Sequence, residues 1–180
     1  IVAGAEHQHL AAGFPIGKRF KSTEVMRRAD NRWRQLGHLH EADGRWRVYV
    51  FADGAAPATI GTPTADFAQW WLSDAESPRS KYTPLNGDTD AIFDTKVIYQ
   101  QDYTEVEPGH VPAAFKPIKT PFGLMDVNQI FASGHGRDIF RDREIDKAGA
   151  IVIVRPDQYV SGIFPLSARE ELKTFFAQHM

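Results

Sequence analysis

Two pairs of histidines are the clearest candidates for metal chemistry in this sequence. His7 and His9 form one His-x-His pair, and His38 and His40 form another. Residues two apart on a β-strand point to the same face, so His38 and His40 could chelate a metal ion together. Two ligands are too few for a site, and no carboxylate has an obvious place beside them. We therefore expect surface or core histidines and no metal site.

Nucleotide and nucleophile chemistry lacks its usual sequence patterns. A dinucleotide-binding turn needs Gly-x-Gly-x-x-Gly so that backbone amides can approach the pyrophosphate. Gly134-His135-Gly136 lacks the third glycine, and Gly87-Asp88 is typical of a turn. No Gly-x-Ser-x-Gly elbow is present for a serine nucleophile. The sequence therefore predicts no catalytic residue and no cofactor site in this chain.

Thiol chemistry is excluded outright, because the chain contains no cysteine. Disulfide exchange needs a thiolate, and thiolate metal sites need several. The absence of cysteine also favours a cytoplasmic protein over a secreted one.

Length and charge narrow the class of protein further. A chain of 180 residues with 42% hydrophobic content suits one domain with a full core. The net charge of −2 gives no reason to expect nucleic acid or an anionic membrane as partner. No apolar run approaches the ~18 residues that span a bilayer. The first ten residues do not resemble a signal peptide, because Glu6, His7 and His9 interrupt the apolar stretch.

Strand and helix patterns alternate through the first two thirds of the chain. Asp43-Gly44 predicts a hairpin between strands at 35–42 and 45–52. A helix capped by Thr62 or Thr64 should follow and end at Ser77-Pro78, with Phe67, Trp70 and Trp71 on one face. The remaining predictions for this part are a strand at 91–99, an irregular crossover at 103–122 and a short helix at 126–132.

The last third of the chain predicts a hairpin and a closing helix. The apolar run at 150–154 should be a buried strand, and 159–164 should return beside it after a tight turn at 155–158. Ser167 and Glu170 have the spacing of a capping box for the final helix. We expect 47–51, 95–99, 150–154 and 159–163 in one central sheet. This order favours an α/β, thioredoxin-like fold with a central mixed sheet flanked by helices and without redox cysteines. The loop after the strand ending near Asp53, residues 54–57, holds no sulfur.

Three segments together resemble one family. They are residues 13–20, which continue to 29–30 and 36–38; residues 43–47, which lead to 51–53; and residues 149–160. In this order and spacing they resemble the carboxy-terminal region of flavin monooxygenases of the phenol hydroxylase and 3-hydroxybenzoate hydroxylase type. The most specific part is Arg155-Pro156-Asp157-Gln158-Tyr159. The chain departs from the family pattern at Lys21 and Thr23-Glu24.

The resemblance implies a packing or dimerisation domain attached to catalytic domains. In that family the upstream domains hold FAD, NADPH and the phenolic substrate, and this region is non-catalytic. We therefore expect 1–22 to be a linker from those domains and 23–180 to be the thioredoxin-like domain. The expected partners are the upstream domains of the same polypeptide and a second copy in a homodimer. The alternative is a free-standing thioredoxin-like interaction module without redox activity, and an independent small enzyme ranks last.

Two aromatic pairs are the candidates for an interface. Trp70 and Trp71 are adjacent on a predicted helix, as are Phe175 and Phe176. Adjacent helical residues point about 100° apart, so we expect one member of each pair to remain exposed for a partner. The alternating charges at 137–144 predict a solvated, self-paired face or, as the alternative, an interdomain or subunit contact.

Overall fold

The chain folds around a mixed β-sheet with helices on both faces. The computed structural model describes residues 1–180. The strands are β1 (Glu24–Arg27), β2 (Arg32–Gln35), β3 (Trp46–Phe51), β4 (Phe93–Asp102), β5 (Ile118–Lys119), β6 (Leu124–Met125), β7 (Ile130–Ser133), β8 (Ala150–Val154) and β9 (Val160–Phe164). The α-helices are α1 (Pro63–Ser73), α2 (Pro78–Tyr82), α3 (Ile139–Asp142) and α4 (Arg169–Ala177). Short 3-10 helices lie at Gln8–Leu10, Leu36–Leu39, Tyr103–Glu105, Pro108–His110 and Ala113–Phe115.

Seven strands form the main sheet in the order β2-β1-β7-β4-β3-β8-β9, while β5 and β6 form a separate hairpin. The β3–β4 and β4–β7 pairs are parallel, and the other pairs of the main sheet are antiparallel. The strands predicted at 47–51, 95–99, 150–154 and 159–163 all belong to this sheet. The thioredoxin-like prediction is confirmed.

The sheet separates two apolar cores. Side chains alternate between the faces of β3, so Trp46, Val48 and Val50 enter one core while Tyr49 and Phe51 enter the other. The first core contains the apolar faces of α1 and α4. The second core contains α3 and buried residues of the amino-terminal segment. Because both faces of β3 are covered, all six of its residues are buried.

Helix α1 begins where the sequence predicts. Thr62 is the N-cap, its side chain accepts a hydrogen bond from the Ala65 amide, and Pro63 occupies the first turn. The predicted end is wrong, because the helix already ends at Ser73. Ser77 begins α2 instead, with its hydroxyl accepting a hydrogen bond from the Ser80 amide.

The predicted hairpin between 35–42 and 45–52 is wrong. Residues Leu36–Leu39 form a 3-10 helix, and β3 pairs with β4 and β8 rather than with the preceding segment. Gly44 does make a turn in the left-handed region, with φ 79°. The Asp43 carboxylate binds Arg45 and Arg47, so the turn is fixed to the start of β3, which lies between β4 and β8.

Two further local predictions are wrong. The segment 126–132 contains strand β7 rather than a helix, because Ile130, Phe131 and Ala132 are buried between β1 and β4. Ser167 does not cap α4: the N-cap is Ala168, and no side chain caps this helix. The Ser167 carbonyl instead accepts a hydrogen bond from the Arg169 amide.

The amino-terminal segment packs on the domain. Ala11, Phe14 and Phe20 are buried in the second core. The Ala3 amide donates to the carbonyl of Ser161, so the start of the chain covers the edge of β9. The assignment of 1–22 as a linker stays a prediction. None of the helices has the length and apolar character needed to cross a membrane.

Candidate functional site

The loop between β3 and α1 carries a carboxylate clamp. Asp53 follows β3 and is buried. Its carboxylate accepts hydrogen bonds from the Thr64 amide at 2.8 Å, the Thr64 hydroxyl at 2.7 Å and the Ala55 amide at 2.8 Å. The Asp53 charge also lies at the amino end of α1, where the helix dipole favours an anion. With no sulfur in residues 54–57, the arrangement joins β3 to α1 and offers no nucleophile.

We expect Asp53→Ala to lower the free energy of unfolding by about 2 kcal/mol, because it removes charge-assisted bonds and orphans the Thr64 amide. Urea unfolding followed by far-UV circular dichroism measures this. Asp66→Ala is the matched control, since Asp66 lies exposed in the first turn of the same helix. Equal losses in the two variants would show that the clamp contributes nothing beyond general helix electrostatics.

A buried ion cluster lies at the start of β3 and β4. Arg47, Asp94 and Lys96 are 0%, 2% and 4% exposed. Arg47 and Asp94 are partners in the parallel register, and Arg47 Nε lies 2.9 Å from Asp94 Oδ2. Lys96 Nζ binds the same carboxylate oxygen. The buried Asp94 carboxylate thus binds two buried cations, Arg47 on the neighbouring strand and Lys96 on its own strand.

A second ring of ion pairs surrounds this centre. Arg47 also binds Asp43 at 2.7 Å, and Arg45 joins Asp43 at 2.8 Å to Asp90 at 2.6 Å. Lys119 of β5 binds Asp90 as well. The cluster therefore ties together β3, β4, the turn before β3 and the hairpin β5–β6.

The electrostatics of the cluster favour a structural role. Burial lowers the pKa of Lys96, although the charge of Asp94 opposes this. Burial would raise the pKa of Asp43, but bonds from Arg47 and Arg45 hold it below its usual range. Burial also raises the pKa of Tyr49, which lies on the same face of β3 as Arg47. A polar cavity of about 260 Å³ adjoins Asp94 and Lys96. The cluster offers no free nucleophile, because Asp94 holds the Lys96 amine.

The paired histidines are separated by their environments. His38 is exposed and His40 is buried, because they lie at a 3-10 helix instead of on a strand. Neither ring nitrogen of His40 has a hydrogen-bond partner. Burial, helped by the charges of Arg47 and Lys96, lowers the pKa of His40 to about 4. No group of three or more potential ligands in the structure could hold a metal ion.

His40 predicts a pH-dependent loss of stability. Its pKa falls from 6.5 in the unfolded chain to about 4 in the fold. Between these values the unfolded state binds more protons, so stability falls as pH drops from about 6.5 to 4. The lowered pKa of Asp43 changes stability mainly below pH 3.8, its value in the unfolded chain, and so outside this window. His40→Leu should flatten the pH dependence of the urea midpoint, and His38→Gln should retain it. An unchanged slope in His40→Leu would contradict the assignment.

The Arg155–Tyr159 family motif forms the turn between β8 and β9. Arg155 pairs with Asp157 at 2.6 Å, and Gln158 adopts a left-handed φ of 71°. The Gln158 side chain accepts a hydrogen bond from Arg19 at 2.8 Å, and its carbonyl accepts one from the Phe20 amide at 2.9 Å. Pro156 lies between these residues in the turn. The motif therefore fixes the amino-terminal segment to the sheet.

The exposure expected for the aromatic pairs is wrong. Trp70, Trp71, Phe175 and Phe176 are all buried in the first core. Helices α1 and α4 lie on the same sheet face, with α2 beside them, so more than one side of each helix is covered. The predicted interface role of the four aromatics depended on exposed side chains, and none of the four is exposed.

The charged segment 137–144 is tied to its own domain. Arg137 stacks over Trp33 at 4.4 Å and pairs with Glu24 at 3.1 Å. Arg141 pairs with Asp142, and Arg143 donates to backbone carbonyls of residues 21 and 22. Only Arg141 and Asp142 pair within the segment, so its arginines mainly bind other parts of the same domain.

Exposed apolar side chains instead gather on the hairpin β5–β6. Ile118, Phe122, Leu124 and Met125 are exposed, and Leu85 is exposed on the neighbouring turn. The sequence predicts an irregular crossover at 103–122, which contains Ile118 and Phe122, and no element for Leu85, Leu124 or Met125. The only signal was the spacing of large apolar residues around Pro121-Phe122-Gly123.

The fold is thioredoxin-like, and the loop after β3, residues 54–57, contains no cysteine. These two features define a thioredoxin-like domain without thiol chemistry. The structure is similar to a putative protein disulfide isomerase from Bacteroides thetaiotaomicron, with a TM-score of 0.55, 13% identity and coverage of 92% of this chain and 87% of that one. A domain of a possible thiol-disulfide isomerase from Cytophaga hutchinsonii also gives a TM-score of 0.55 at 13% identity, over 92% and 93% of the chains. At these identities the likeness shows the fold alone.

The family is shown by sequence. Residues 1–180 match the family described as "Phenol hydroxylase, C-terminal dimerisation domain", and the chain belongs to it. The chain is 42% identical to the 3-hydroxybenzoate 4-monooxygenase of Comamonas testosteroni, over 100% of this chain and 29% of the relative. It is 27% identical to an FAD-dependent monooxygenase of Aspergillus terreus, over 99% and 30%. The chain thus spans less than a third of these relatives, and it is a dimerisation domain of the phenol hydroxylase family.

Proposed function

We propose that this chain is the non-catalytic carboxy-terminal domain of an FAD- and NADPH-dependent aromatic monooxygenase, and that it serves packing and homodimerisation. The observation that carries the proposal is the 42% identity over the whole chain to a 3-hydroxybenzoate 4-monooxygenase of which the chain spans 29%. FAD in the upstream domains would supply the oxygen-transfer chemistry. This chain contributes contacts with those domains and with a second copy.

The residues themselves support a role outside the chemistry. The Asp53 carboxylate binds Ala55 and Thr64 in the loop between β3 and α1, the position of the redox cysteines in a thioredoxin fold, and all of these bonds lie within the domain. Asp94 is enclosed with its two cations. These polar groups hold the domain together and leave the catalytic work to the rest of the parent enzyme.

The proposal extends to partners and location. The low net charge favours neither nucleic acid nor an anionic membrane as a partner. The lack of cysteine fits a cytoplasmic enzyme.

The reading frame upstream of Ile1 tests the proposal. We expect it to encode Gly-x-Gly-x-x-Gly after a predicted strand, because the upstream domains must hold the FAD pyrophosphate. A frame that opens directly before Ile1, without this pattern, would contradict the hydroxylase and favour a free-standing interaction module.

A further inference from the structure

The polar cavity beside the buried ion cluster has a volume of about 260 Å³ and an almost wholly polar lining. Leu39 is the one apolar residue among the ten that line it. Three of the others are acidic, and four are basic, namely Arg27, Arg45, Lys96 and Lys119. A lining of this kind suits a small, strongly polar ligand rather than an apolar one.

The sheet brings three lining residues side by side. Asp94 and Lys96 are two residues apart on β4, so they point to the same face. The Val97 amide donates to the Gln129 carbonyl at 3.0 Å, and Val97 pairs with Ile130 in the parallel register of β4 and β7. This register sets Gln129 beside Lys96. Asp94, Lys96 and Gln129 are all buried, at 2%, 4% and 8% exposure.

Two oxygen atoms of these side chains have no hydrogen-bond donor. They are Asp94 Oδ1 and Gln129 Oε1, and both are buried. The other oxygen of Asp94 binds Arg47 and Lys96, and the Gln129 amide nitrogen donates to Asp126. A buried acceptor without a donor costs free energy, so a ligand that donates to these oxygens would relieve that cost.

The basic side chains around the cavity have donors to spare. The Lys96 ammonium carries three protons and has one partner, the Asp94 carboxylate. Arg27 uses Nε and one terminal nitrogen on Asp30, which leaves its other terminal nitrogen without a bond. A ligand that matches this cavity therefore accepts hydrogen bonds from cations and also donates to Asp94 or Gln129.

We propose that the cavity is a binding site for inorganic phosphate. At neutral pH this ion keeps at least one P–OH group, so it accepts from Lys96 and Arg27 and donates to Asp94 or Gln129. Sulfate has the same tetrahedral shape but no proton to donate. A phosphate monoester loses its last P–OH proton at about pH 6 and also becomes an acceptor only. The site depends on neither the proposed homodimer nor the proposed parent enzyme.

Isothermal titration calorimetry of the wild-type chain tests the proposal at pH 7.5 and constant ionic strength, in a buffer without phosphate or sulfate. We expect inorganic phosphate to bind one site with a Kd of about 1 mM or lower. Sulfate and glycerol 3-phosphate should bind at least about tenfold more weakly, because they lack the charge-assisted hydrogen bond to the buried oxygens. Amide NMR shifts on phosphate addition should concentrate at residues 94–96 and 126–129.

Gln129→Met removes one of the unpartnered oxygens and nearly preserves the size of the side chain. It should weaken phosphate binding at least about fivefold and leave sulfate binding unchanged. Gln101→Met is the matched control, since Gln101 Oε1 also lacks a donor but lies at the other end of β4 and outside the cavity. Circular dichroism melting checks that both variants fold. Arg27→Gln, which changes a less buried lining residue, should weaken the binding of phosphate as well.

Three results would overturn the assignment. Equal Kd values for phosphate, sulfate and glycerol 3-phosphate would show general attraction of anions to basic side chains. No heat of binding with any of the three would show that the cavity holds water alone. A Gln129→Met variant that binds phosphate as well as Gln101→Met does would place the ion elsewhere. The family assignment and the proposed monooxygenase stand in each case.

Discussion

Replacing Asp94 with alanine is expected to lower the free energy of unfolding by about 3–5 kcal/mol. The substitution leaves Lys96 in the interior without an anion, while Arg47 keeps only its second partner, Asp43. An uncompensated buried charge costs far more than the loss of an exposed ion pair. Equilibrium urea unfolding of the variant and the wild type at pH 7 gives the difference directly.

Two further variants identify the cause of that loss. Glu170→Ala removes the partner of Lys173 in an exposed pair, with Glu170 82% exposed, and should cost far less stability than Asp94→Ala. Adding Lys96→Met to Asp94→Ala removes the stranded cation and should restore part of the stability. If Asp94→Ala costs no more than Glu170→Ala, the cluster does not stabilise the fold.

Replacing Trp71 with alanine is expected to cost about 3–5 kcal/mol of stability, as large-to-small changes of buried aromatics do. Trp71 is fully buried, its ring lies 5.4 Å from that of Phe93, and its indole NH donates to the Thr95 hydroxyl at 3.1 Å. The change therefore opens a cavity in the first core and orphans a buried hydroxyl.

The control for Trp71→Ala is Ile60→Ala at an exposed position, which should change stability by less than about 0.5 kcal/mol. Urea unfolding measures both. A Trp71→Ala variant with nearly normal stability but a weaker dimer would restore the interface role that the sequence suggested for this residue.

The elements that the sequence predicts well are those with a strong local pattern. The run at Ala150–Val154 has no polar residue and is a buried strand. Thr62-Pro63 carries its own cap chemistry, so the start of α1 is determined locally. The hairpin at 35–52 was mispredicted because Asp43-Gly44 specifies a turn but not the strand that β3 will pair with.

The aromatic pairs show where helix geometry alone is insufficient. An angle of about 100° between Trp70 and Trp71 leaves one of them exposed only if a single flat surface covers the helix. Here α1 lies against the sheet and beside α2, and both tryptophans find neighbours. The spacing of residues within one helix does not predict which other elements will cover it.

The ion cluster depends on non-local pairing. Arg47, Asp94 and Lys96 look like ordinary surface charges in the sequence, since Arg47 lies 47 residues before Asp94 and on a different strand. Only the parallel register of β3 and β4 brings them together and buries them. The resemblance of three segments, including Arg155–Tyr159, correctly predicts the family that the comparison shows.

Sedimentation velocity of this chain with equimolar FAD, followed separately at a protein and at a flavin absorbance band, measures dimerisation and cofactor binding in one experiment. We expect the protein boundary to move as a dimer at high concentration, while the flavin absorbance stays behind as free FAD. A purely monomeric boundary would contradict dimerisation by this chain. Flavin that sediments with the protein would contradict a domain without a cofactor site.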